Sequence, residues 1–386
     1  MKVVIDVHCV TAKNTRGIPQ YTINLVRHLL ARKNNEYGLA YYDYMKERNN
    51  EALVLKHFGD LSPALYECMS MKRSERLLYN AFKENSYSLC MGTNADLYHF
   101  TNTSDIPDNI TDTKKLSKNG DSGAVVTCHD ITPTIRQLQQ INHSYTIGMH
   151  RIEKLQPIII TDTYAAKEEL CALEVVPENN IHVVHLGIDT TVYEKTTVNS
   201  ASKFGIYNPY FVVLGSVGEF RKNTSRIVEA FNIIAQKYEV SLVFLGKIAT
   251  QDLNKLVDKK SISDKIIFTD FISEEEKISL LSNAASLIFP SLYEGFGLPI
   301  LEAQACGVPV ITSELSSMPE VAGNSAILVD PYSVEAIADA MERVLNDTQL
   351  CKDLIKKGYE NIKRFSWDKC AAQTEEVYKI AYEKGR

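Results

Sequence analysis

The sequence lacks the features that mark membrane-spanning, disulfide-bonded or nucleic-acid-binding proteins. No run approaches the roughly 20 apolar residues that a membrane-spanning helix requires. The eight cysteines are scattered without C-x-x-C spacing, which argues against a zinc site or a disulfide framework and favours reduced thiols. The net charge of -6 provides no general attraction for nucleic acid. The chain opens on a strand-like run, residues 3–7, rather than on a signal peptide, so we expect a cytoplasmic protein.

Apolar runs of strand length alternate with helical patterns through most of the 386 residues, a length that suits two domains. Strands are predicted at residues 3–7, 95–100, 124–128, 158–161, 181–185, 210–214, 241–245, 265–268, 285–290, 308–312 and 326–329. Helices are predicted at residues 21–31, 165–173, 225–237, 252–259, 273–284 and 333–346. This alternation predicts parallel sheets with crossover helices, in two Rossmann-like α/β domains in tandem. The polar, weakly patterned stretch 189–208 separates the two halves, and we place the boundary at residue 195.

The most informative stretch carries two glutamates, Glu294 and Glu302, between two of the predicted strands. A proline between them suits the first turn of a helix, and Gly307 ends that helix, so Glu294 is predicted in a loop and Glu302 just inside the helix. Gly295 and Gly297 allow the backbone to pass close to a ligand. A helix start offers unpaired N–H groups and partial positive charge, so this place suits a phosphate that carries a polar sugar.

This stretch closely resembles the nucleotide-binding signature of retaining glycosyltransferases of family 4, an E-x7-E pair followed by a small-residue helix and a G-x-P-V-I strand. In that family the first glutamate contacts the transferred sugar and the second contacts the ribose hydroxyls, which assigns those roles to Glu294 and Glu302. The donor-binding residues that the resemblance implies between them are Gly295, Phe296, Gly297 and Leu298. An isolated E-x7-E pair is more often a turn acid and a solvated helix residue. The glycines and prolines at fixed offsets favour the functional interpretation.

A pair of cations precedes the helix predicted at residues 225–237. Flexible glycines and then Arg221 and Lys222 at a helix entrance are typical of a phosphate site, although such a pair alone is usually a surface feature. The run resembles the family's R-K-N element, whose cations neutralise the diphosphate leaving group. Ser216 stands near the position where many members carry a further arginine.

Two elements of the first half extend the resemblance. Gly17 is the one residue retained from the family's glycine-rich loop, whose amides contact the diphosphate, and Pro19 stands where a glycine is common. His129 ends a strand in an element similar to the family's V-H-D-x-x-P, in which the histidine lies beside the transferred sugar. The crevice beyond the carboxyl ends of parallel strands is where such sheets bind ligands. His99 ends another predicted strand and is a second candidate, on the acceptor side.

Other segments allow a structural and a functional interpretation. Phe271 and Ile272 stand where the family holds the nucleotide base, and simple packing explains them nearly as well. The run from Ser317 to Glu320 fits a capping box ahead of a helix, which we prefer to a functional role. Residues 104–123 are predicted to form either a loop at the mouth of the ligand-binding crevice or an insertion without a functional role. Residues 71–79 read as a solvated helix face or as a peripheral contact with the membrane.

The resemblance implies the GT-B fold: two Rossmann-like domains, residues 1–195 and 196–364, face each other across a cleft, and a helix at 365–386 crosses back to the first domain. Trp367 would anchor this amphipathic tail. The first domain would bind the acceptor and the second the nucleotide sugar.

The implied reaction is transfer of a sugar, with retention, from a nucleoside diphosphate sugar to a glycan or lipid-linked glycan in surface polysaccharide biosynthesis. GDP-mannose is the expected donor, with UDP- and dTDP-sugars as alternatives. Neither a metal nor another cofactor is expected, and the enzyme would work in the cytoplasm, with a peripheral contact at the inner face of the membrane left open. The rival functions are a nucleotide-sugar epimerase of the same fold, a glycoside hydrolase that uses the two glutamates, and a non-catalytic sugar-nucleotide-binding protein.

Overall fold

The computed structural model describes residues 1–11, 17–42, 50–61, 64–68, 95–103, 106, 123–129, 143–215, 219–246, 262–270 and 272–385. The chain divides into two compact units. Unit 1 comprises Met1–Gly187 and Trp367–Arg386, and unit 2 comprises Ile188–Ser366. Among the helices described, none combines the length and the apolar character that crossing a membrane requires.

Unit 1 is built on a seven-stranded parallel sheet. Its strands are β1 (Lys2–Asp6), β2 (Glu36–Tyr42), β3 (Ala64–Cys68), β4 (Leu97–Phe100), β5 (Gly123–Cys128), β6 (Ile158–Thr161) and β7 (Ile181–Val183). They lie in the order β3-β2-β1-β4-β5-β6-β7. Strands β4, β5 and β6 are buried at every position, as expected for a sheet covered on both faces. The strand order reverses between β1 and β4, the place where such sheets bind ligands.

Helices of unit 1 connect these strands and cover the sheet. They are α1 (Ile18–Arg32), α2 (Asn50–Phe58), α3 (His143–Leu155) and α4 (Tyr164–Cys171). Helix α1 buries Tyr21, Leu25 and Leu29, residues spaced four apart that share one face of the helix. Thr163 caps α4, since its side chain accepts a hydrogen bond from the backbone N–H of Ala166 at 3.1 Å.

The last helix of the chain belongs to unit 1 rather than to the unit that precedes it. This tail helix spans Trp367–Lys384. It packs on α1 and on β5. Its carboxylate Glu375 is buried and accepts hydrogen bonds from Arg32, Asn34 and Tyr37, each at 2.8 Å. Trp367 is buried near Tyr21, with the ring centroids 6.3 Å apart.

Unit 2 contains a six-stranded parallel sheet. Its strands are β8 (Tyr210–Leu214), β9 (Ser241–Leu245), β10 (Ile266–Phe268), β11 (Ser286–Phe289), β12 (Val310–Ser313) and β13 (Ile327–Val329). They lie in the order β10-β9-β8-β11-β12-β13, so the order reverses between β8 and β11. The loops that follow these two strands therefore lie at the expected ligand edge of the sheet.

Six helices surround this sheet in the part of unit 2 that the structure describes. They are α5 (Thr224–Ala235), α6 (Glu274–Ser282), α7 (Leu298–Ala305), α8 (Met318–Ala322), α9 (Val334–Asn346) and α10 (Thr348–Asn361), and the tail helix of unit 1, Trp367–Lys384, is α11. Helix α5 places Ile227, Phe231 and Ile234 in the core with Phe211 and Phe244. This spacing puts the three side chains on one face of the helix. These core contacts hold α5 against the strands β8 and β9.

The fold class predicted from the sequence is confirmed: both units are α/β with parallel sheets, and the tail helix returns to the first of them. The division falls between residues 187 and 188. The strands β2 and β3 and the helices α2, α3 and α10 are absent from the sequence-based expectation. The helix predicted at residues 252–259, the segment 71–79 and nearly all of the segment 104–123 lie outside the described residues.

Candidate functional site

The stretch with the two glutamates folds as a strand, a loop and a short helix. Strand β11 ends at Phe289, and α7 begins at Leu298 with a proline in its first turn. Gly297 precedes the helix with a φ of 111°, which a side chain would strain. Glu294 therefore lies in the loop and Glu302 lies on α7, as the sequence predicts.

Glu294 lies at the centre of an ion-pair cluster. Its Oε2 accepts a hydrogen bond from Arg221 Nη1 at 2.7 Å, and its Oε1 accepts one from Lys222 Nζ at 2.6 Å. Arg221 also donates from Nε to Glu219 Oε2 at 2.9 Å. The ammonium of Lys222 lies 5.0 Å from the centroid of the Phe289 ring. The structure thus brings together three of the residues that the resemblance marks as catalytic.

The cluster keeps its carboxylate charged despite burial. The side chain of Glu294 is 9% exposed. Burial alone raises the pKa of the Glu294 carboxyl, but the Lys222 and Arg221 cations outweigh it and hold this pKa below its ordinary value. Two cations face two carboxylates, Glu294 and Glu219, so the four side chains carry no net charge. An arriving anion has to compete with these carboxylates for the cations.

Asn223 fixes the turn that carries the two cations. It follows the 3-10 turn Phe220–Lys222 with a left-handed φ of 58°, and it is buried. Its Nδ2 donates to the carbonyls of Pro290 at 3.0 Å and Pro331 at 2.6 Å, which follow β11 and β13. The backbone N–H of Leu292 donates to the Arg221 carbonyl at 2.7 Å. These bonds join the cation turn to the loop of Glu294.

Two serines hold the other side of the Glu294 loop. The Ser317 hydroxyl is buried and lies 2.9 Å from the carbonyl of Glu294 and 2.7 Å from that of Phe296. The Ser316 hydroxyl donates to the Glu294 carbonyl at 2.9 Å, and Ser316 has a φ of 56°, which is uncommon for a residue other than glycine. The capping box predicted from Ser317 to Glu320 was wrong. Ser317 does precede α8, but its side chain makes no capping bond because it serves the Glu294 loop instead.

Glu302 forms a separate cluster on α7. Its Oε2 lies 2.9 Å from Nζ of Lys277 on α6. The same ammonium donates to Glu274 Oε1 at 3.1 Å and to the hydroxyl of Tyr193 at 2.8 Å. The Glu302 side chain is 14% exposed, so its carboxylate reaches solvent. No sequence motif indicates that Lys277 and Tyr193 lie beside Glu302.

The residues expected to hold the nucleotide base lie between β10 and α6. Ile272 is half-buried and immediately precedes Ser273, which caps α6 in a capping box with Glu276. Phe271 lies outside the described residues. The loop residues Gly295, Phe296 and Leu298 adjoin Glu294 in the chain, and the Phe296 ring packs edge-on against Phe365, with centroids 5.7 Å apart.

In unit 1, His129 directly follows β5. Its Nδ1 lies 2.8 Å from Asp162 Oδ2, and its Nε2 lies 3.0 Å from the carbonyl of Thr101. A carboxylate and a carbonyl both accept hydrogen bonds, so both ring nitrogens of His129 face acceptors. The edge of the Tyr21 ring packs against the imidazole, with centroids 4.5 Å apart. Asp162 and Thr101, which sequence analysis missed, therefore fix the orientation of His129.

Gly17 and His99 occupy very different environments. Gly17 immediately precedes α1 with a positive φ of 71°, and open space surrounds the position of a Cβ there. His99 is 1% exposed, and its ring bonds to the hydroxyls of Tyr378 at 2.7 Å and Thr127 at 2.8 Å. Burial, and then the nearby His129, lower the pKa of His99 to about 3. The expectation that His99 reaches an acceptor was wrong, because the tail helix covers it.

Within the described ranges of the chain, no group of three or more His, Cys, Asp or Glu side chains is arranged to hold a metal ion.

Comparison with known proteins finds a family match in the second half of the chain. Residues 199–361 match the family described as "Glycosyl transferases group 1". The chain is 28% identical over 269 residues to O-antigen chain mannosyltransferase B of Escherichia coli, which covers 67% of this chain and 70% of that protein. It is 29% identical over 236 residues to an MMP alpha-(1->4)-mannosyltransferase of Mycolicibacterium hassiacum, which covers 60% of this chain and 56% of that relative. The alignment thus spans little more than half of the second relative.

Solved structures extend the likeness to nearly the whole chain. The Anabaena protein HepE, solved in complex with UDP and glucose, matches with a TM-score of 0.75 at 15% identity, over 98% of this chain and 100% of HepE. At this identity the likeness concerns the fold. Residues 199–361 therefore match a glycosyltransferase group 1 domain, within a two-domain α/β chain of the GT-B fold.

Proposed function

We propose that the protein is a retaining glycosyltransferase of family 4 that transfers mannose from GDP-mannose to a hydroxyl of a glycan or lipid-linked glycan in surface polysaccharide biosynthesis. The observation that carries the proposal is the convergence of Arg221 and Lys222 on Glu294 within the glycosyltransferase domain. The mannosyltransferases among the relatives support the choice of sugar. None of the relatives named above is described as an epimerase.

The proposed chemistry depends on stabilising the diphosphate leaving group. As the bond from the anomeric carbon to the diphosphate breaks, negative charge grows on the phosphate oxygens. Arg221 and Lys222 lie at a helix start and would meet this charge with N–H donors and without a metal. A preorganised donor of this kind is typically worth about 3 kcal/mol in the transition state.

Glu294 would change partners when the donor binds. The diphosphate takes over hydrogen bonds from Arg221 and Lys222, and the released carboxylate accepts hydrogen bonds from the sugar hydroxyls. The hydroxyls of Ser316 and Ser317 hold the Glu294 backbone while its side chain exchanges partners. The same carboxylate therefore holds the cations in the free enzyme and orients the sugar in the complex.

The remaining residues have proposed roles in binding. Glu302 would accept hydrogen bonds from the ribose, and Gly295, Phe296, Gly297 and Leu298 would line the donor. Phe271 and Ile272 would contact the base. From unit 1, Gly17 would contact the diphosphate and His129 the transferred sugar.

No protein nucleophile is assigned in the transfer step. The acceptor oxygen bonds to the anomeric carbon on the face from which the diphosphate leaves, so the configuration is retained. The acceptor proton passes to a phosphate oxygen of the leaving group. A lipid-linked acceptor would bring the enzyme to the inner face of the membrane.

The test is to incubate the purified chain with GDP-mannose, UDP-glucose or a dTDP-sugar, with and without an acceptor glycan, and to measure the released nucleoside diphosphate. We expect acceptor-dependent release from GDP-mannose, and an anomeric NMR signal with the donor's configuration. Glu294→Gln should abolish release. The proposal fails if no donor is bound or turned over and if Glu294→Gln changes no ligand affinity.

A further inference from the structure

Lys277 links Glu302 to two other side chains of unit 2. Its ammonium contacts Glu302 Oε2 at 2.9 Å, Glu274 Oε1 at 3.1 Å and the Tyr193 hydroxyl at 2.8 Å. The ammonium also lies 4.8 Å from the centroid of the Tyr193 ring. The Tyr193 hydroxyl in turn donates to Glu274. The four side chains, from α6, α7 and the segment before β8, form one closed network.

Lys277 has no proton left for a ligand. An ammonium carries three N–H groups, and this one has three oxygen partners. The residue is also buried. Any effect of Lys277 on a bound nucleotide must therefore pass through a neighbour. Glu302 is the neighbour that the proposed function assigns to the ribose.

The charges of the network favour a ligand that donates hydrogen bonds. Burial alone lowers the pKa of Lys277, but the Glu302 and Glu274 carboxylates outweigh it and raise this pKa, so the ammonium is charged at neutral pH. Burial, and next the charge of Glu302, raise the pKa of Tyr193, so its hydroxyl keeps its proton. Two carboxylates share one ammonium, which leaves a net negative charge beside Glu302. Such a place repels phosphate and suits hydroxyl groups.

We propose that Lys277 and Tyr193 are positioning residues, which hold the Glu302 carboxylate where it accepts hydrogen bonds from the two ribose hydroxyls of a nucleoside diphosphate. This inference rests on the proposed function. Lys277 fixes one carboxylate oxygen, and Tyr193 fixes Lys277. Without the network, Glu302 is free to turn towards solvent, and the ribose loses its fixed acceptor. The base and the diphosphate keep their own partners.

The test uses pairs of ligands that differ only in the ribose hydroxyls. Titration calorimetry compares GDP with 2′,3′-dideoxy-GDP, and UDP with 2′,3′-dideoxy-UDP. Because hydrogen bonds to a charged group strengthen binding, the wild-type protein should bind each ribose ligand at least about 10-fold more tightly than its dideoxy counterpart. Glu302→Gln and Lys277→Met should remove most of this preference by weakening only the ribose form. Tyr193→Phe should reduce the preference for the ribose ligand by only about threefold, because Lys277 still pairs with the carboxylates of Glu302 and Glu274.

A merely structural role for Lys277 gives a different result. Damage to the fold weakens the ribose and dideoxy ligands equally and leaves their ratio unchanged. Lys237→Met is the matched control, because Lys237 pairs with Glu342 on the surface of the same unit, and it should keep the wild-type ratio.

The outcomes separate this inference from the proposed function. If the wild-type protein binds neither GDP nor UDP, both fail. If Glu302→Gln removes the preference and Lys277→Met keeps it, the inference alone is overturned. If Lys277→Met does not fold, Tyr193→Phe decides, and a wild-type ratio in that variant overturns the inference.

Discussion

Replacing Lys222 with methionine is the sharpest single perturbation of the proposed chemistry. Methionine keeps most of the length and the apolar stem of lysine and removes the charge. In the free protein, Lys222 Nζ lies 2.6 Å from Glu294 Oε1, and the lysine side chain is 14% exposed. The variant therefore loses a partly buried cation that faces both the carboxylate and the proposed diphosphate.

The size of the effect follows from these contacts. One preorganised donor to a developing negative charge is worth about 3 to 4 kcal/mol, so kcat should fall by roughly 10²- to 10³-fold. The free energy of unfolding should fall by less. Glu294 keeps its bond to Arg221, and the lost ionic hydrogen bond costs about 1 to 3 kcal/mol.

Two assays separate these effects. Single-turnover transfer at saturating donor reports the chemical step, and urea unfolding reports stability. Lys237→Met is the control, because its lysine is 54% exposed and pairs with Glu342 away from the site. An exposed pair of this kind contributes at most about 1 kcal/mol and should leave kcat unchanged. The reasoning is refuted if Lys222→Met turns over within about threefold of the wild-type rate, a change far below that expected for a lost oxyanion donor.

Three further predictions concern the Glu294 loop, the buried histidine and metal dependence. Ser317→Ala should lower kcat by about 10-fold in steady-state kinetics, because the loop without the Ser317 hydroxyl no longer fixes Glu294. An unchanged kcat would contradict this role and show that Ser316 alone holds the loop. His99 should make unit 1 less stable below pH 6.5, because its folded pKa is depressed and the unfolded chain takes up the proton first. The loss due to His99 at pH 5 is about 2 kcal/mol in urea unfolding, and His99→Gln should remove this contribution to the pH dependence. Excess EDTA should leave the transfer rate unchanged, and a rate that falls with EDTA and returns with a divalent cation would contradict the metal-free mechanism.

Much of unit 2 could be predicted because its strands are short apolar runs buried on both faces. The predicted ranges 210–214 and 241–245 coincide with β8 and β9. The loop and helix around Glu294 and Glu302 were also predictable, since glycine and proline fix local backbone geometry. Apolar runs, glycines and prolines act on the backbone close to them in the chain, so they predict single strands, loops and helix starts.

The missed elements carry weaker local signals. Strand β2 has a glycine, Gly38, at its centre, which breaks the apolar run although Leu39 and Tyr41 beside it are buried. Helix α10 is rich in polar residues and buries few side chains, so its apolar stripe is narrow. Neither element carries the continuous apolar pattern from which the other strands and helices were predicted.

The partners of the site residues were missed for a different reason. Lys277 lies far along the chain from Tyr193 and Glu302, and Ser317 bonds to carbonyls of a loop that precedes β12. The local S-x-x-E pattern predicts a cap for Ser317, but the tertiary bonds to the Glu294 loop replace it. His99 was misassigned because the tail helix that buries it comes from the other end of the sequence.

Binding of a free nucleoside diphosphate to Glu294→Gln tests the role of the ion-pair cluster most directly. Because Glu294 competes with the diphosphate for Arg221 and Lys222, removing its charge should tighten the binding of GDP, by about 10-fold if one ionic hydrogen bond is released from competition. Calorimetric titration of the wild-type protein and the variant measures this. Tighter binding by the variant is the predicted result. No binding to the wild-type protein, or equal or weaker binding by the variant, would contradict the proposed exchange of partners.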